Sequence, residues 1–157
     1  MEKLTNMKQE TLDGLQHLIE FNLDSADVLE AAAKRVDAAP YARLFRQISG
    51  ERRRQAEELQ SYVCVNAEEP KTKGTAAGSI RKVWVDFRAA LNGGDNYVVM
   101  IEAERSEDRI KEKYESVLKE TAGSPVNDVL MRHLRAVKGW HDQVRRLRDD
   151  IKQVKKV

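Results

Sequence analysis

The stretch LDGLQHLIEFNLDSADVLEAAAKRVDAAP, from Leu12 to Pro40, decides the fold. Leu12, Leu15, Ile19, Ala26, Leu29, Ala33 and Val36 recur at spacings near three and four and not at two, which predicts one apolar stripe on a helix from about Lys8 to Val36. The short Asp37-Ala38-Ala39-Pro40 connection then turns the chain sharply, so the next helix has to return antiparallel. That second helix carries Tyr41, Leu44, Phe45, Ile48, Leu59 and Tyr62 and runs to about Val65. Glu68-Glu69-Pro70-Lys71-Thr72-Lys73-Gly74 is the one long polar loop and the best internal boundary.

Beyond the loop, a shorter helix from about Ala76 to Leu91 presents Ile80, Val83, Trp84, Phe87 and Leu91. Asn92-Gly93-Gly94 stops it, and Asp95 is placed to cap the next helix. At ~1.5 Å per residue the short helix covers roughly 24 Å, enough with its loops to act as a crossover that starts the third long helix parallel to the second. The third, about Asp95 to Thr121, buries Val99, Ala103, Ile110, Tyr114 and Val117. Gly123-Ser124-Pro125 turns it into a fourth, whose stripe is Leu130, Leu134, Val137, Trp140, Val144, Leu147, Ile151 and Val154. The expected fold is all-α: a single domain over residues 1–157, an antiparallel four-helix bundle with an additional crossover helix between the second and third long helices.

Composition excludes several function classes. Lys+Arg of 28 against Asp+Glu of 26 leaves a formal charge of +2, which makes no case for nucleic acid as a partner. The first residues, Met1 to Thr11, lack the apolar stretch of a secretory signal, and nowhere are there about eighteen consecutive apolar residues to span a bilayer. A soluble cytoplasmic protein without a membrane partner is expected. The lone Cys64, between Val63 and Val65, cannot form an internal disulfide and reads as a small, partly buried hydrophobe.

At 100° per residue, every long helix turns at least one polar group inward. Asn22 lies within the Ile19, Ala26, Ala33 stripe, and Arg52 and Gln55 lie within the Ile48, Leu59, Tyr62 stripe. Glu107 shares its face with Ala103, Ile110 and Tyr114, and His141 shares its face with Val137 and Val144. Arg52 can pair with Glu107, while Asn22, Gln55 and His141 satisfy the remaining donors and acceptors in a polar core layer that holds the helices in register. The sharper alternative is a metal site on Glu107 and His141 with Glu104, Glu20 or Asp24, binding iron or another divalent ion. His133 stands eight residues before His141 and hence ~12 Å away along the axis, so it reads as a core-edge histidine.

No Ser-His-Asp ordering and no phosphate loop is present, and Gly93-Gly94 is a turn signal. Catalysis without a metal therefore has little support. The basic tail of Arg145, Arg146, Arg148, Lys152, Lys155 and Lys156 is diluted by Asp142, Asp149 and Asp150, and with the run Glu51-Arg52-Arg53-Arg54 it reads as solvated surface. Trp84 and Phe87 on the crossover helix either provide a homodimer contact or cover the bundle.

The segment Gly74-Thr-Ala-Ala-Gly-Ser-Ile-Arg-Lys-Val-Trp84-Val-Asp-Phe-Arg-Ala-Ala-Leu-Asn-Gly-Gly-Asp95 and the later Glu104-Arg-Ser-Glu-Asp108 resemble the signature of an uncharacterised bacterial family, a domain of unknown function. The resemblance runs from about Leu12 to Tyr114, and more loosely to Asp149. It implies ferritin-like four-helix-bundle proteins whose wider relatives include ferritins and rubrerythrins, and it makes a stress-associated role imaginable. Rubrerythrin-type proteins carry a Glu from each of two helices and Glu-x-x-His in the second and fourth. The positions that match the Glu-x-x-His pairs here are Arg52 with Gln55 and Lys138 with His141, so only that histidine and the Glu107 position survive. The first-helix glutamate matches Asn22 best, with Glu20, Asp27 and Glu30 leaving that alignment open by a turn. An arginine among the ligands opposes a divalent cation, so the resemblance implies architecture without the complete ligand set. A non-catalytic structural or interaction protein without a cofactor is expected, its protein partner unknown, with a di-iron-like oxidase or storage protein as the alternative.

Overall fold

Helix-forming stripes separated by Pro- and Gly-containing turns produce five helices in the computed structural model, which describes residues 2–74 and 79–155. They are α1 Gln9–Arg35, α2 Ala39–Val65, α3 Ser79–Gly93, α4 Asn96–Glu120 and α5 Asn127–Lys155, and no strand occurs among the described residues. Residues 75–78, which include the expected start of the short helix at Ala76, lie outside the described residues. So do the Ile80 and Lys155 side chains and Lys156. No helix among the described residues is long and apolar enough to cross a membrane.

The turns follow from their residues. Pro40 sits in the first turn of α2, where its missing N–H costs no helical bond. Asp95 accepts from the Tyr97 backbone N–H at 2.9 Å and so caps α4. Gly123, with φ of 84°, makes the left-handed bend between α4 and α5. The loop after α2 is strapped along α1 by Gln16, whose Nε2 donates to the Glu69 carbonyl while its Oε1 accepts from the Lys71 N–H. At the end of that loop Gly74 comes so close to Asp24 that a Cβ there would fall 1.7 Å from a carboxylate oxygen.

Pairs of touching residues give the helix directions. Along α4 and α5, Glu104 meets Arg148, Asp108 meets His141 and Tyr114 meets His133, so numbers rise on one helix as they fall on the other. The pairs Asn22 with Tyr114 and Gly14 with Val117 make α1 antiparallel to α4. Ser49 with Ala26, and Asn66 at the end of α2 with Met7, make α1 antiparallel to α2. It follows that α2 and α4 run parallel. The short α3 packs against α1 and α4.

Two apolar clusters form the core. One gathers Leu29, Phe45, Ile48, Met100 and Val144 with Trp84 and Phe87 of α3, and Phe45 and Phe87 meet edge to face with centroids 6.0 Å apart. The other gathers Leu15, Ile19, Leu59, Ile110, Val126, Leu130 and Val137. Trp84 and Phe87 are buried, so their surface is used in covering the bundle, while Val85 faces out. Cys64 differs from the sequence expectation: it is exposed, because it stands about 100° round α2 from the buried Val63.

The end of α2 carries a detectable cost. The Ala67 N–H bonds the Cys64 carbonyl at 3.0 Å and the Glu68 N–H bonds the Val63 carbonyl at 3.3 Å, a Schellman arrangement that puts Ala67 at φ of 60°. An L side chain in that region costs about 1–2 kcal/mol, whereas glycine occupies it freely. Ala67→Gly is therefore expected to stabilise the protein by about 0.5–1 kcal/mol, after the extra unfolded-state entropy of glycine, as a higher urea midpoint at unchanged m-value.

Candidate functional site: a divided polar layer

Between the two apolar clusters, α1 contributes Asn22, α2 contributes Arg52 and Gln55, α4 contributes Glu107 and α5 contributes His141, all buried as the stripes require. At the centre, Arg52 Nη2 donates to Glu107 Oε2 from α2 to the parallel α4. Both side chains are withdrawn from water, at 0% and 1% exposure. Burial pushes the Glu107 carboxyl above its usual range, opposed by the Arg52 guanidinium at hydrogen-bond distance.

The other three residues do not close onto that pair. Gln55 Nε2 donates weakly to the His133 backbone carbonyl at 3.4 Å. Asn22 Nδ2 donates to the Leu18 carbonyl at 2.8 Å and to Tyr114 Oη at 2.9 Å. His141 turns to the rim between α4 and α5, with Nε2 2.6 Å from Asp108 Oδ1 and 3.7 Å from Glu104 Oε1, close approaches without hydrogen-bond alignment. Glu104 is itself held by Arg148 and by Arg145 Nε at 3.4 Å. Glu20 is half-buried on α1 and makes no hydrogen bond or ion pair with these groups among the described residues. Asp24 lies against Gly74 at the loop. Among the described residues no three His, Cys, Asp or Glu side chains are grouped so as to hold a metal ion.

A second network, unread in the sequence, crosses all four long helices. From α1 Asn22 reaches Tyr114 on α4; Tyr114 Oη lies 2.9 Å from His133 Nδ1 on α5; His133 Nε2 lies 2.6 Å from Glu58 Oε1 on α2. Arg132 completes it with two bonds to the Glu58 carboxylate, at 3.1 and 2.7 Å. The proton order follows from donor counting. The Glu58 carboxylate can only accept, so a neutral His133 carries its proton on Nε2, and its bare Nδ1 accepts the Tyr114 proton while Tyr114 Oη accepts from the Asn22 amide. The network was hidden because Tyr114 counts as one more residue of an apolar stripe, Glu58 lies outside the second-helix stripe and His133 reads as a core-edge histidine. One signal was available: His133 shares its face with Leu130 and Val137, the same criterion that placed His141 inside.

Electrostatics favour the neutral imidazole. Burial lowers the proton affinity of His133 below the ordinary histidine value, with Glu58 pulling the other way. The Arg132 hydrogen bonds hold the Glu58 carboxyl below its usual range, and burial raises the Tyr114 phenol well above its own.

The chain belongs to the family described as a domain of unknown function, DUF2383, whose model matches residues 10–120. No curated protein and no solved structure matches the chain. The matched stretch holds Asn22, Arg52, Glu58, Glu107 and Tyr114, and ends before α5 with its His133 and His141.

Two outcomes are expected. Arg52→Ala strands the buried Glu107 and should cost about 3–5 kcal/mol in urea denaturation, whereas Arg52→Met combined with Glu107→Leu should cost far less because neither charge is left behind. The second concerns pH. His133 binds its proton less readily folded than unfolded, so its contribution is present above about pH 6.5 and is lost as pH falls below that value. Unfolding free energy should drop between pH 7.5 and 5.5, and His133→Gln should flatten that slope.

Proposed function

We propose that this DUF2383 chain is a non-catalytic structural or protein-interaction protein of ferritin-like four-helix-bundle architecture, in which α3 is the crossover and the metal layer has become a polar one. The parallel course of α2 and α4 supports the architecture, since a long connection must return the chain before α4 begins. The observation that carries the functional reading is the Arg52 guanidinium, buried in the centre of the layer and bonded to Glu107. A cation beside Glu107 would have to compete with a fixed positive charge for the same carboxylate.

A metal-binding reading, as a di-iron-like oxidase or storage protein, draws on His141 with Asp108 and Glu104 within 3.7 Å of its Nε2. Against it, Glu104 already answers Arg145 and Arg148. The distinguishing experiment is elemental analysis of protein purified without a metal-affinity tag, followed by thermal shifts with ferrous, manganese and zinc ions. The expected result is metal well below one equivalent and no shift. Near-stoichiometric metal that disappears in Glu107→Ala or His141→Ala overturns the structural reading in favour of the oxidase or storage role.

A further inference from the structure

The α2–α5 seam differs from the pairings of α1 with α2, α1 with α4 and α4 with α5. α1 packs closely on α2 and α4 on α5, but the α2 and α5 backbones stay apart and the two helices meet through long side chains such as Glu58 and Arg132. At the end of the seam away from that bridge, the separation opens a groove of about 480 Å³. Its lining is Pro40, Arg43, Leu44 and Gln47 from α2 and Gln143, Arg146 and Leu147 from α5. Leu44 and Leu147 provide apolar surface between two arginines on opposite helices, and no carboxylate is among the lining residues.

The state of those arginines carries the inference. Arg53 and Arg54 on α2 and Arg132, Arg145 and Arg148 on α5 each meet a carboxylate. Among the described residues Arg43 has no carboxylate partner, and Arg146 makes only a 3.4 Å bond from Nε to the Asp142 backbone carbonyl. Arg46, in the adjoining hollow with Arg43 and Asp37, is also exposed and forms no ion pair among the described residues. On a chain with a formal charge of only +2, this leaves a local positive excess at a groove that joins the apolar Leu44 and Leu147 and has no carboxylate among its lining residues.

We infer that the groove between α2 and α5 is a docking site for an acidic amphipathic helix of a partner protein. Its apolar side chains would seat against Leu44 and Leu147, and its carboxylates would meet Arg43 and Arg146. The complementarity is of charge and of shape: a guanidinium offers a two-pronged donor to a carboxylate, and a trough between two helices accepts a third. Aromatic side chains that could stack on nucleobases are missing from the lining, and a concave trough offers a flat anionic membrane little contact. The inference rests on the protein-interaction reading above and names the partner class.

The test uses the full chain and a fluorescent synthetic helical peptide with a leucine stripe flanked by glutamates. A matched peptide carries lysine in place of glutamate, and phosphatidylglycerol vesicles and a single-stranded oligodeoxynucleotide serve as the other anionic surfaces. Saturable anisotropy is expected with the acidic peptide alone, weakening with salt and falling roughly tenfold or more in Arg43→Glu/Arg146→Glu. Circular dichroism and melting of that variant should match the parent, as both positions are exposed. Absence of saturable binding overturns the assignment, as does affinity unchanged by the charge reversals or preferential binding of vesicles or oligonucleotide lost in the variant. Sedimentation showing a dimer that the variant dissociates gives the groove to a second copy and overturns it too. Any of these leaves the non-catalytic reading intact, because metal content tests that separately.

Discussion

A guanidinium without access to water has to meet an acceptor of opposite charge, and in the centre of this protein Arg52 meets Glu107. Two helices that run parallel and far apart in sequence are thereby held at one relative height. Sliding α2 by a turn would bring Arg52 against the apolar surface of either cluster and leave Glu107 alone, so alternative registers are penalised more heavily than the native one is rewarded. The pair also explains the division of the core. Apolar contacts build two clusters, one with α3 and one without, and the charged layer lies between them.

The chain through Asn22, Tyr114, His133 and Glu58 extends the same logic to every long helix. Each member has one place to put its proton or lone pair, so the bonds run in one direction from the α1 amide to the half-exposed Glu58 carboxylate. Protonating His133 would put a second proton on the Tyr114 side, where the phenol already points its own. The geometry and the burial of the ring therefore act together in keeping the imidazole neutral. Arg132 steadies the outer end by fixing the carboxylate that receives the chain.

The inward positions of Asn22, Arg52, Gln55, Glu107 and His141 were legible because helical periodicity assigns a face to each residue whatever its chemistry. The pairing of Arg52 with Glu107 was legible too, since two buried opposite charges have few other ways to be satisfied. The membership of one network was not. His141 leaves the layer for Asp108 and Glu104, and Asn22 turns to Tyr114, because which neighbour a side chain meets depends on rotamer and on helix rotation by a few tens of degrees. Glu58 escaped notice because a long side chain on the margin of a stripe can reach inward from an outward position.

By itself the sequence determined the all-helical class, the extents of the first three long helices, the turns between them and the inward faces, all of which follow from local spacing, proline, glycine and capping residues within a turn or two of chain. Only the tertiary structure decided that Tyr114 and His133 bond each other, that Trp84 and Phe87 are spent on the core, and that α2 and α5 part to leave a groove. These depend on the distances between helices remote in sequence. Such distances are set by the packing of whole faces and by the need of each buried charge and donor to find its partner.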